Sequence, residues 1–145
     1  MTPSDPHASL ADVEMLQQAL GHVFAPWLRA LDLRVIEARA GEVTLALPVT
    51  PLHVHEGGVL CGQTVMAACD TAMVLAVMTR LGGFKPMTTV QLQTSFLRPV
   101  PGETPEVLLT ARVLRRGKSL AFGEISIRTP DGKLAAQATT TYALL

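Results

Sequence analysis

The stretch that decides the fold is Gly62–Leu81, GQTVMAACDTAMVLAVMTRL, which Gly82 and Gly83 follow. Its apolar residues would cover nearly every side of a helix rather than one stripe, and such a helix has to be surrounded by protein. The glycine pair after it is typical of a helix C-cap. We therefore expect one long helix that is buried over most of its surface.

Four strand-length runs follow this helix, and turn-forming residues separate them. The separators are PVPG at residues 99–102, RGK at 116–118 and PDG at 130–132; such short returns join antiparallel neighbours. Before the helix, alternating apolar residues on either side of Gly41 predict another hairpin. The sequence therefore predicts an α+β fold, in which an antiparallel sheet of about six strands is wrapped around one long buried central helix. The four runs cover residues 88–97, 106–114, 120–129 and 134–144.

The N-terminal part of the chain is predicted to be helical after a short tail. Residues 1–9 are polar and contain proline, which is typical of a loose terminus. Apolar spacing predicts an amphipathic helix from Leu10 to Phe24, and Pro26 can open a short second helical segment that ends at Leu31. Because no linker or repeat divides the chain, we expect residues 1–145 to form a single domain.

Composition and charge exclude several classes of protein. The 145 residues include 12 basic and 12 acidic side chains, and 48% are hydrophobic, which is too apolar for a disordered chain. Without a basic cluster, neither nucleic acid nor a membrane is expected as a partner. The two cysteines, Cys61 and Cys69, form no disulfide or metal-ligand pattern, and no signal sequence is evident. We therefore expect reduced thiols in a cytoplasmic protein.

Asp70 is the strongest candidate for chemistry. It lies in the middle of the predicted helix among small apolar residues, where a buried carboxylate needs hydrogen-bond donors or a raised pKa. Such a carboxylate suits a general base or a nucleophile, although a purely structural aspartate is the alternative. Gly62 lies eight residues earlier, at the helix N-terminus and on roughly the same side. A free N–H group there can polarise a carbonyl oxygen.

Other candidate residues carry weaker signals. His53 and His55 lack further metal ligands at a recognised spacing, so they are expected at a pocket mouth or exposed on a loop, and no metal site is predicted. Cys61 is expected to be a small buried residue rather than a nucleophile. Strict alternation would place Thr89 on one face of its strand with Gln91 and Ser95.

Together these motifs resemble the hotdog-fold acyl-CoA thioesterases, specifically the PaaI-like branch of the phenylacetate pathway. That branch has Asn-x-x-Gly-x-x-His-Gly-Gly, followed by a helix whose aspartate lies eight residues after the first glycine of the pair. Here the corresponding run is HEGGVLCGQ at residues 55–63, and Asp70 falls at the carboxylate position. The sequence FLRP at residues 96–99 is similar to the end of a family strand, and the resemblance extends over residues 35–145.

The resemblance implies a cofactor-independent enzyme that hydrolyses an aromatic or medium-chain acyl-CoA to a carboxylic acid and CoA. Gly62 would donate its amide to the thioester carbonyl, and Asp70 of a partner subunit would act as general base or nucleophile. Thr89 would orient the attacking water. The family also implies a homodimer or a homotetramer. An aliphatic helix face with Met66, Met73 and Met78 would suit the acyl group.

This sequence departs from the family motif at three positions. His55 stands where the family has asparagine, Cys61 replaces the motif histidine and Gln63 replaces the second glycine. His55 could still bind water or the thioester, so it is retained as a catalytic candidate. The substrate-binding candidates are Gly58, Cys61, Gln63, Arg98, Arg116 and Lys118.

Two other functions are compatible with these departures. A non-catalytic acyl-CoA-binding hotdog domain would explain the altered asparagine and histidine positions. A hotdog enoyl-CoA hydratase that uses His55 ranks lower, because a hydratase histidine usually lies beside the helix.

Overall fold

The computed structural model describes the backbone of residues 6–145 and the side chains from residue 12 onward. Two α-helices, two short 3-10 helices and six strands make up this part of the chain. The helices are α1 (Pro6–Ala19) and α2 (Gly62–Leu81), the 3-10 segments are Pro26–Leu31 and Pro51–His53, and the strands are β1 (Arg34–Arg39), β2 (Glu42–Pro48), β3 (Met87–Phe96), β4 (Glu106–Arg116), β5 (Leu120–Arg128) and β6 (Leu134–Leu144).

The six strands form one antiparallel sheet around α2, so the predicted α+β architecture is confirmed. The strand order is β1-β2-β4-β5-β6-β3, which leaves β1 and β3 at the two edges. Helix α2 spans the predicted residues and ends at Leu81. Gly82 caps it, because a φ of 75° lets the Gly82 N–H group donate to the Met78 carbonyl at 3.0 Å. Although α2 is long and apolar enough to cross a membrane, most of it is buried inside this fold.

The N-terminal helix differs from its predicted bounds. Helix α1 ends at Ala19 rather than Phe24, and turns follow it up to Pro26. Pro26 opens the predicted second helical segment, which is a 3-10 helix that ends at Leu31. Helix α1 begins at Pro6, so residues 6–9 of the predicted loose terminus are helical. The rest of that predicted terminus, residues 1–5, lies outside the described residues.

Two methionines of α2 have a different role from the one expected. Met73 and Met78 are 0% and 2% exposed and belong to the core between helix and sheet. They therefore fill the interior, and the expectation that they face an acyl group was wrong. Met66, by contrast, is 37% exposed.

A β-bulge in β3 changes which residues face the helix. The pairing of β3 with β6 shifts between Thr89 and Gln91, so Val90 is an extra residue in the strand. The prediction of strict alternation was therefore wrong at this point. Thr89 lies on the helix side, as do Leu92 and Thr94 further along, whereas Val90 is exposed.

The close approach of helix and sheet can be tested at Gly123 in β5. A Cβ atom there would lie 2.8 Å from the Arg112 carbonyl oxygen and would overlap the Met73 side chain. We expect Gly123→Ala to lower the free energy of unfolding by about 1–3 kcal/mol, measured by urea denaturation. In Gly117→Ala the nearest atom is 3.6 Å away, and the change should stay within about 0.5 kcal/mol. Equal effects of both substitutions would contradict the proposed packing constraint.

Candidate active site

The carboxylate of Asp70 is held by two hydroxyl groups from the sheet. Thr89 Oγ1 donates to Asp70 Oδ1 at 2.9 Å, with Oδ2 at 3.2 Å. The Tyr142 hydroxyl donates to Oδ1 and also lies 3.0 Å from the Asp70 carbonyl oxygen. Thr89 and Tyr142 are direct partners on the adjacent strands β3 and β6, so one cross-strand pair supplies both donors. The two donors thereby fix the orientation of this carboxylate on a largely apolar helix.

Tyr142 is a site residue that our sequence analysis missed. Its side chain is 3% exposed. Burial and the hydrogen bond to Asp70 raise the pKa of the Tyr142 phenol above its usual range, so this hydroxyl stays protonated and remains a donor. The signal available in the sequence was the chain's single tyrosine at an inward position of β6, since a buried tyrosine hydroxyl usually has a partner.

Cys69, the neighbour of Asp70, is a neutral buried thiol. Burial, assisted by the negative charge of Asp70, raises the pKa of Cys69 to about 12. Cys69 therefore brings no second negative charge to this part of the helix at neutral pH. It also lies within the hydrophobic core, away from solvent.

Gly62 opens α2 at the other end of the candidate site. As the first residue of the helix, its N–H group has no partner within the helix. A Cβ atom on Gly62 would lie 3.3 Å from the Phe96 ring, so the bare backbone is in close contact with β3. Gly62 and Phe96 both line a mostly apolar cavity of about 300 Å³, whose walls also include Val65, Val100, Ile127 and Ala136. This amide can therefore bind a carbonyl oxygen that enters the cavity.

His53 fastens the loop before α2 to the first turn of the helix. Its ring is 9% exposed, with Nε2 3.0 Å from the Ala30 carbonyl oxygen and Nδ1 3.1 Å from Thr64 Oγ1. The Cys61 N–H group donates to the His53 carbonyl at 2.8 Å, and Cys61 Sγ lies 2.9 Å from Thr64 Oγ1. This network, which we call the His53 clamp, positions the backbone next to Gly62.

His55 lies in a different environment from His53. It is exposed, and its Nδ1 accepts a hydrogen bond from the Gly57 N–H group at 2.9 Å. The turn closes when the Gly58 N–H group donates to the His55 carbonyl at 2.9 Å, with Gly58 at a φ of 77°. Gln63 is exposed next to Gly62. The two histidine rings thus bind different groups and do not form one site together.

The basic candidates divide between the two ends of β3. Arg98 lines the Gly62 cavity. Arg116 pairs across the sheet with Ala121, which pairs with Tyr142, so Arg116 lies in the cross-strand row that contains the Asp70 donors. Lys118 is in the exposed turn that follows Arg116. The structure therefore brings Gly62 together with Arg98 and Asp70 together with Thr89, and it separates these two groups.

Comparison with known proteins identifies the family. Residues 57–136 match the family described as the Thioesterase superfamily. The chain belongs to this superfamily. It is 30% identical to a protein of Saccharolobus solfataricus that carries the name of an esterase, over 79% of this chain and 80% of that protein. The identity to human acyl-coenzyme A thioesterase 13 is 28%, over 77% of this chain and 79% of the human protein.

A solved structure gives the same result for the fold. The structure of a variant of the phenylacetic acid degradation protein PaaI from Thermus thermophilus has a TM-score of 0.73 and 26% identity, and the match covers 83% of this chain and all of that one. The resemblance found in the sequence is therefore confirmed. The chain is a thioester hydrolase with the hotdog fold.

The contribution of Tyr142 can be measured directly. Tyr142→Phe removes one donor from the Asp70 carboxylate, so we expect kcat to fall by about 10- to 100-fold while KM changes little. The matched control is Thr140→Val, which removes a buried hydroxyl from the same strand; that hydroxyl donates to the Gln91 carbonyl rather than to Asp70. The control should lower stability and retain kcat. Wild-type kcat in Tyr142→Phe would show that the phenol does not position Asp70.

Proposed function

We propose that this thioester hydrolase acts on acyl-CoA and releases a carboxylic acid and free CoA. The observation that carries the proposal is Asp70, the acidic residue of a largely apolar helix, whose carboxylate is held by two hydroxyl groups. The relationship to human acyl-coenzyme A thioesterase 13 supports CoA as the leaving group. The resemblance to PaaI and the apolar surroundings support an aromatic or medium-chain acyl group.

Gly62 and Asp70 of one chain are too far apart to act on the same thioester. Eight residues along a helix correspond to about 12 Å. An amide that binds the carbonyl oxygen and a group that attacks the carbonyl carbon both lie about 3 Å from that carbonyl. Moreover, Phe96 beside Gly62 and Thr89 beside Asp70 are at opposite ends of β3. A complete site therefore needs residues from two copies of the chain.

The exposed edge of the sheet suits the assembly that would complete the site. Within the described residues, β3 has a neighbouring strand only on its β6 side. Its Val90 and Phe96 are 59% and 52% exposed, which is typical of a surface that is covered by a partner. A two-fold axis that pairs β3 with β3 antiparallel would place the Thr89 end of one strand beside the Phe96 end of the other. We infer a homodimer built in this way, which either is the complete assembly or forms half of a homotetramer.

In this assembly each site combines groups from both copies. The Gly62 N–H group of one copy binds the thioester oxygen and stabilises the negative charge that develops there. As a general base, Asp70 of the other copy takes a proton from a water molecule that Thr89 orients and that attacks the carbonyl carbon; the carbon–sulfur bond then breaks, and the CoA thiolate takes up the proton. As a nucleophile, Asp70 attacks the carbonyl carbon itself and displaces the CoA thiolate, and water then hydrolyses the acyl–aspartyl anhydride to release the acid and restore the carboxylate.

A cavity beside the Asp70 donors suits the acyl group. It has a volume of about 250 Å³ and includes Thr89 and Tyr142 in its lining. The lining also includes the apolar side chains Val23, Phe24, Val74, Phe84 and Met87, although polar atoms contribute more of its surface than apolar atoms do. The apolar side chains can contact an apolar acyl chain. The free thiols Cys61 and Cys69 fit the proposed cytoplasmic location.

The proposed reaction is tested by thiol release from phenylacetyl-, benzoyl- and medium-chain acyl-CoA. We expect the wild type to hydrolyse at least one of them and Asp70→Asn to reduce kcat by about 100- to 1000-fold. The control Asp32→Asn should be fully active, because Asp32 is an exposed residue at a φ of 51°, which asparagine tolerates. Unchanged turnover in Asp70→Asn would refute its assigned role.

The same acyl-CoA thioesters, together with an enoyl-CoA, distinguish the alternative functions. A non-catalytic binding domain would be stabilised against heat by acyl-CoA without any thiol release. A hydratase would remove the conjugated double bond of an enoyl-CoA and would require His55. Either result, in the absence of thiol release from acyl-CoA, would contradict the proposed hydrolysis.

The Gly62 amide can be removed with little change to the helix. Gly62→Pro eliminates the N–H group at the first helical position, where proline is favoured, and Cys61 at φ −73° and ψ 145° can precede proline. Gly62→Ala adds a Cβ atom but retains the N–H group. We expect Gly62→Pro to lower kcat by about 100-fold or more and Gly62→Ala to lower it much less.

Mixing two inactive variants tests whether the site is shared. A heterodimer of Gly62→Pro and Asp70→Asn contains one intact site and one site with both defects. Random exchange of subunits should therefore restore about a quarter of the wild-type activity. If both groups came from one chain, no activity would return.

A further inference from the structure

The N-terminal half of α2 has one face that the sheet leaves uncovered. We call this face the α2 strip, and its residues are Gly62, Gln63, Met66, Ala67 and Asp70. Steps of three and four residues place them side by side on the helix. All residues from 71 to 78 are buried, so the helix is enclosed beyond Asp70. The strip therefore connects the two groups that the proposed site takes from different copies of the chain.

Met66 is the large apolar side chain of the α2 strip. It is 37% exposed, whereas Met73 and Met78 of the same helix lie in the core. Met66 is four residues after Gly62 and four residues before Asp70, which is about 6 Å along the helix axis from each. An apolar side chain between the two polar groups of a site gains free energy when a partner covers it.

Strand β3 gives the same midpoint as α2. It runs beside the α2 strip in the opposite direction, because Phe96 contacts Gly62 and Thr89 binds Asp70. The middle of β3 between these two contacts is therefore level with Met66. A single axis can thus pass both the middle of the strip and the middle of the exposed edge strand.

The two-fold axis of the proposed dimer determines where Met66 lies. Each site takes Gly62 from one copy and Asp70 from the other, so the axis passes midway between the two sites. On α2 the residue midway between these two groups is Met66. The Met66 side chains of the two copies therefore meet at the axis and form one wall between the two sites.

The direction of helical side chains assigns each Met66 to one of the two sites. A side chain on an α-helix leans toward the helix N-terminus, so Met66 leans toward the Gly62 amide of its own chain. The CoA part of the substrate has to lead outward to solvent. The acyl carbon that is bonded to the carbonyl carbon consequently faces the axis and Met66.

We propose that Met66 is a specificity-determining residue that selects acyl groups with an unbranched carbon next to the thioester carbonyl. This inference rests on the proposed function and on its shared site. A CH₂ group at this carbon fits against the Met66 wall, whereas a methyl branch overlaps the methionine side chain. One methyl group of misfit in an apolar site changes kcat/KM by about 10- to 200-fold.

The experiment compares phenylacetyl-CoA with 2-phenylpropanoyl-CoA, and hexanoyl-CoA with 2-methylhexanoyl-CoA. The members of each pair differ by one methyl group on the carbon next to the carbonyl. Because the wall lies on one side of that carbon, the enantiomer that the wild type hydrolyses more slowly is used. We expect the wild type to favour the unbranched thioester by about tenfold or more in kcat/KM, and Met66→Ala to remove most of this preference.

Two further variants are the controls. Met66→Leu keeps an apolar side chain of similar volume and should retain the wild-type preference. Leu108→Ala removes an apolar side chain of similar exposure, 39%, from β4, where the neighbouring residues Val107 and Leu109 are buried and Leu108 lies on the outer side of the sheet. It should hydrolyse both thioesters as the wild type does.

Mixed dimers test which copy supplies the acting Met66. In a dimer of Gly62→Pro and Asp70→Asn chains, the intact site takes its Gly62 from the Asp70→Asn chain. Met66→Ala added to that chain should remove the preference for the unbranched thioester. The same substitution added to the Gly62→Pro chain should leave the preference unchanged.

Several results would overturn the proposal while hydrolysis itself stands. These are a wild type without preference, an equal effect of Met66→Ala on both thioesters, no effect on either, and an effect of Met66→Ala from the Gly62→Pro chain alone. Absence of thiol release by the wild type would instead refute the proposed function, and an inactive mixed dimer would refute the shared site.

Discussion

The constraint on which the rest of the structure depends is the exclusion of water from α2. A helix that is apolar on nearly all sides cannot lie on a surface, so the antiparallel sheet has to curl around it. The close fit of Met73 against Gly123 shows how tightly the two layers pack. The same burial sets the conditions for chemistry, because a polar group on the buried part of this helix must find its hydrogen bonds within the protein. Asp70 obtains them from the Thr89 and Tyr142 hydroxyl groups.

Much of the architecture could be predicted because local and global signals agree. The bounds of α2, the glycine that ends it and the turns between strands each depend on residues close together in sequence. Asp70 could be singled out because a carboxylate in such a helix is costly. The end of α1 was harder to place, because Leu20 and Val23 continue the apolar spacing although the chain leaves the helix after Ala19.

Other features depend on contacts between distant parts of the chain and were not predicted. The bulge at Val90 inserts one residue relative to β6, and only that pairing turns Thr89 toward the helix. Tyr142 reaches Asp70 across 72 positions of sequence, and nothing near either residue indicates the other. The methionines of α2 were assigned to a ligand because composition does not distinguish a core from an apolar binding surface. His53 was left open between two roles, and the structure gives it a third as a clamp.

The His53 clamp also fixes which group donates in each bond of a chain of hydrogen bonds. A carbonyl oxygen can only accept, so Nε2 of His53 must carry the hydrogen that points to Ala30, which leaves Nδ1 of the neutral ring as an acceptor. Thr64 must then donate to His53, and the Cys61 thiol must donate to Thr64. A single carbonyl group in a 3-10 segment thus orients three side chains as far as the start of α2. None of these hydrogen bonds uses the Gly62 N–H group, so the clamp leaves that donor available.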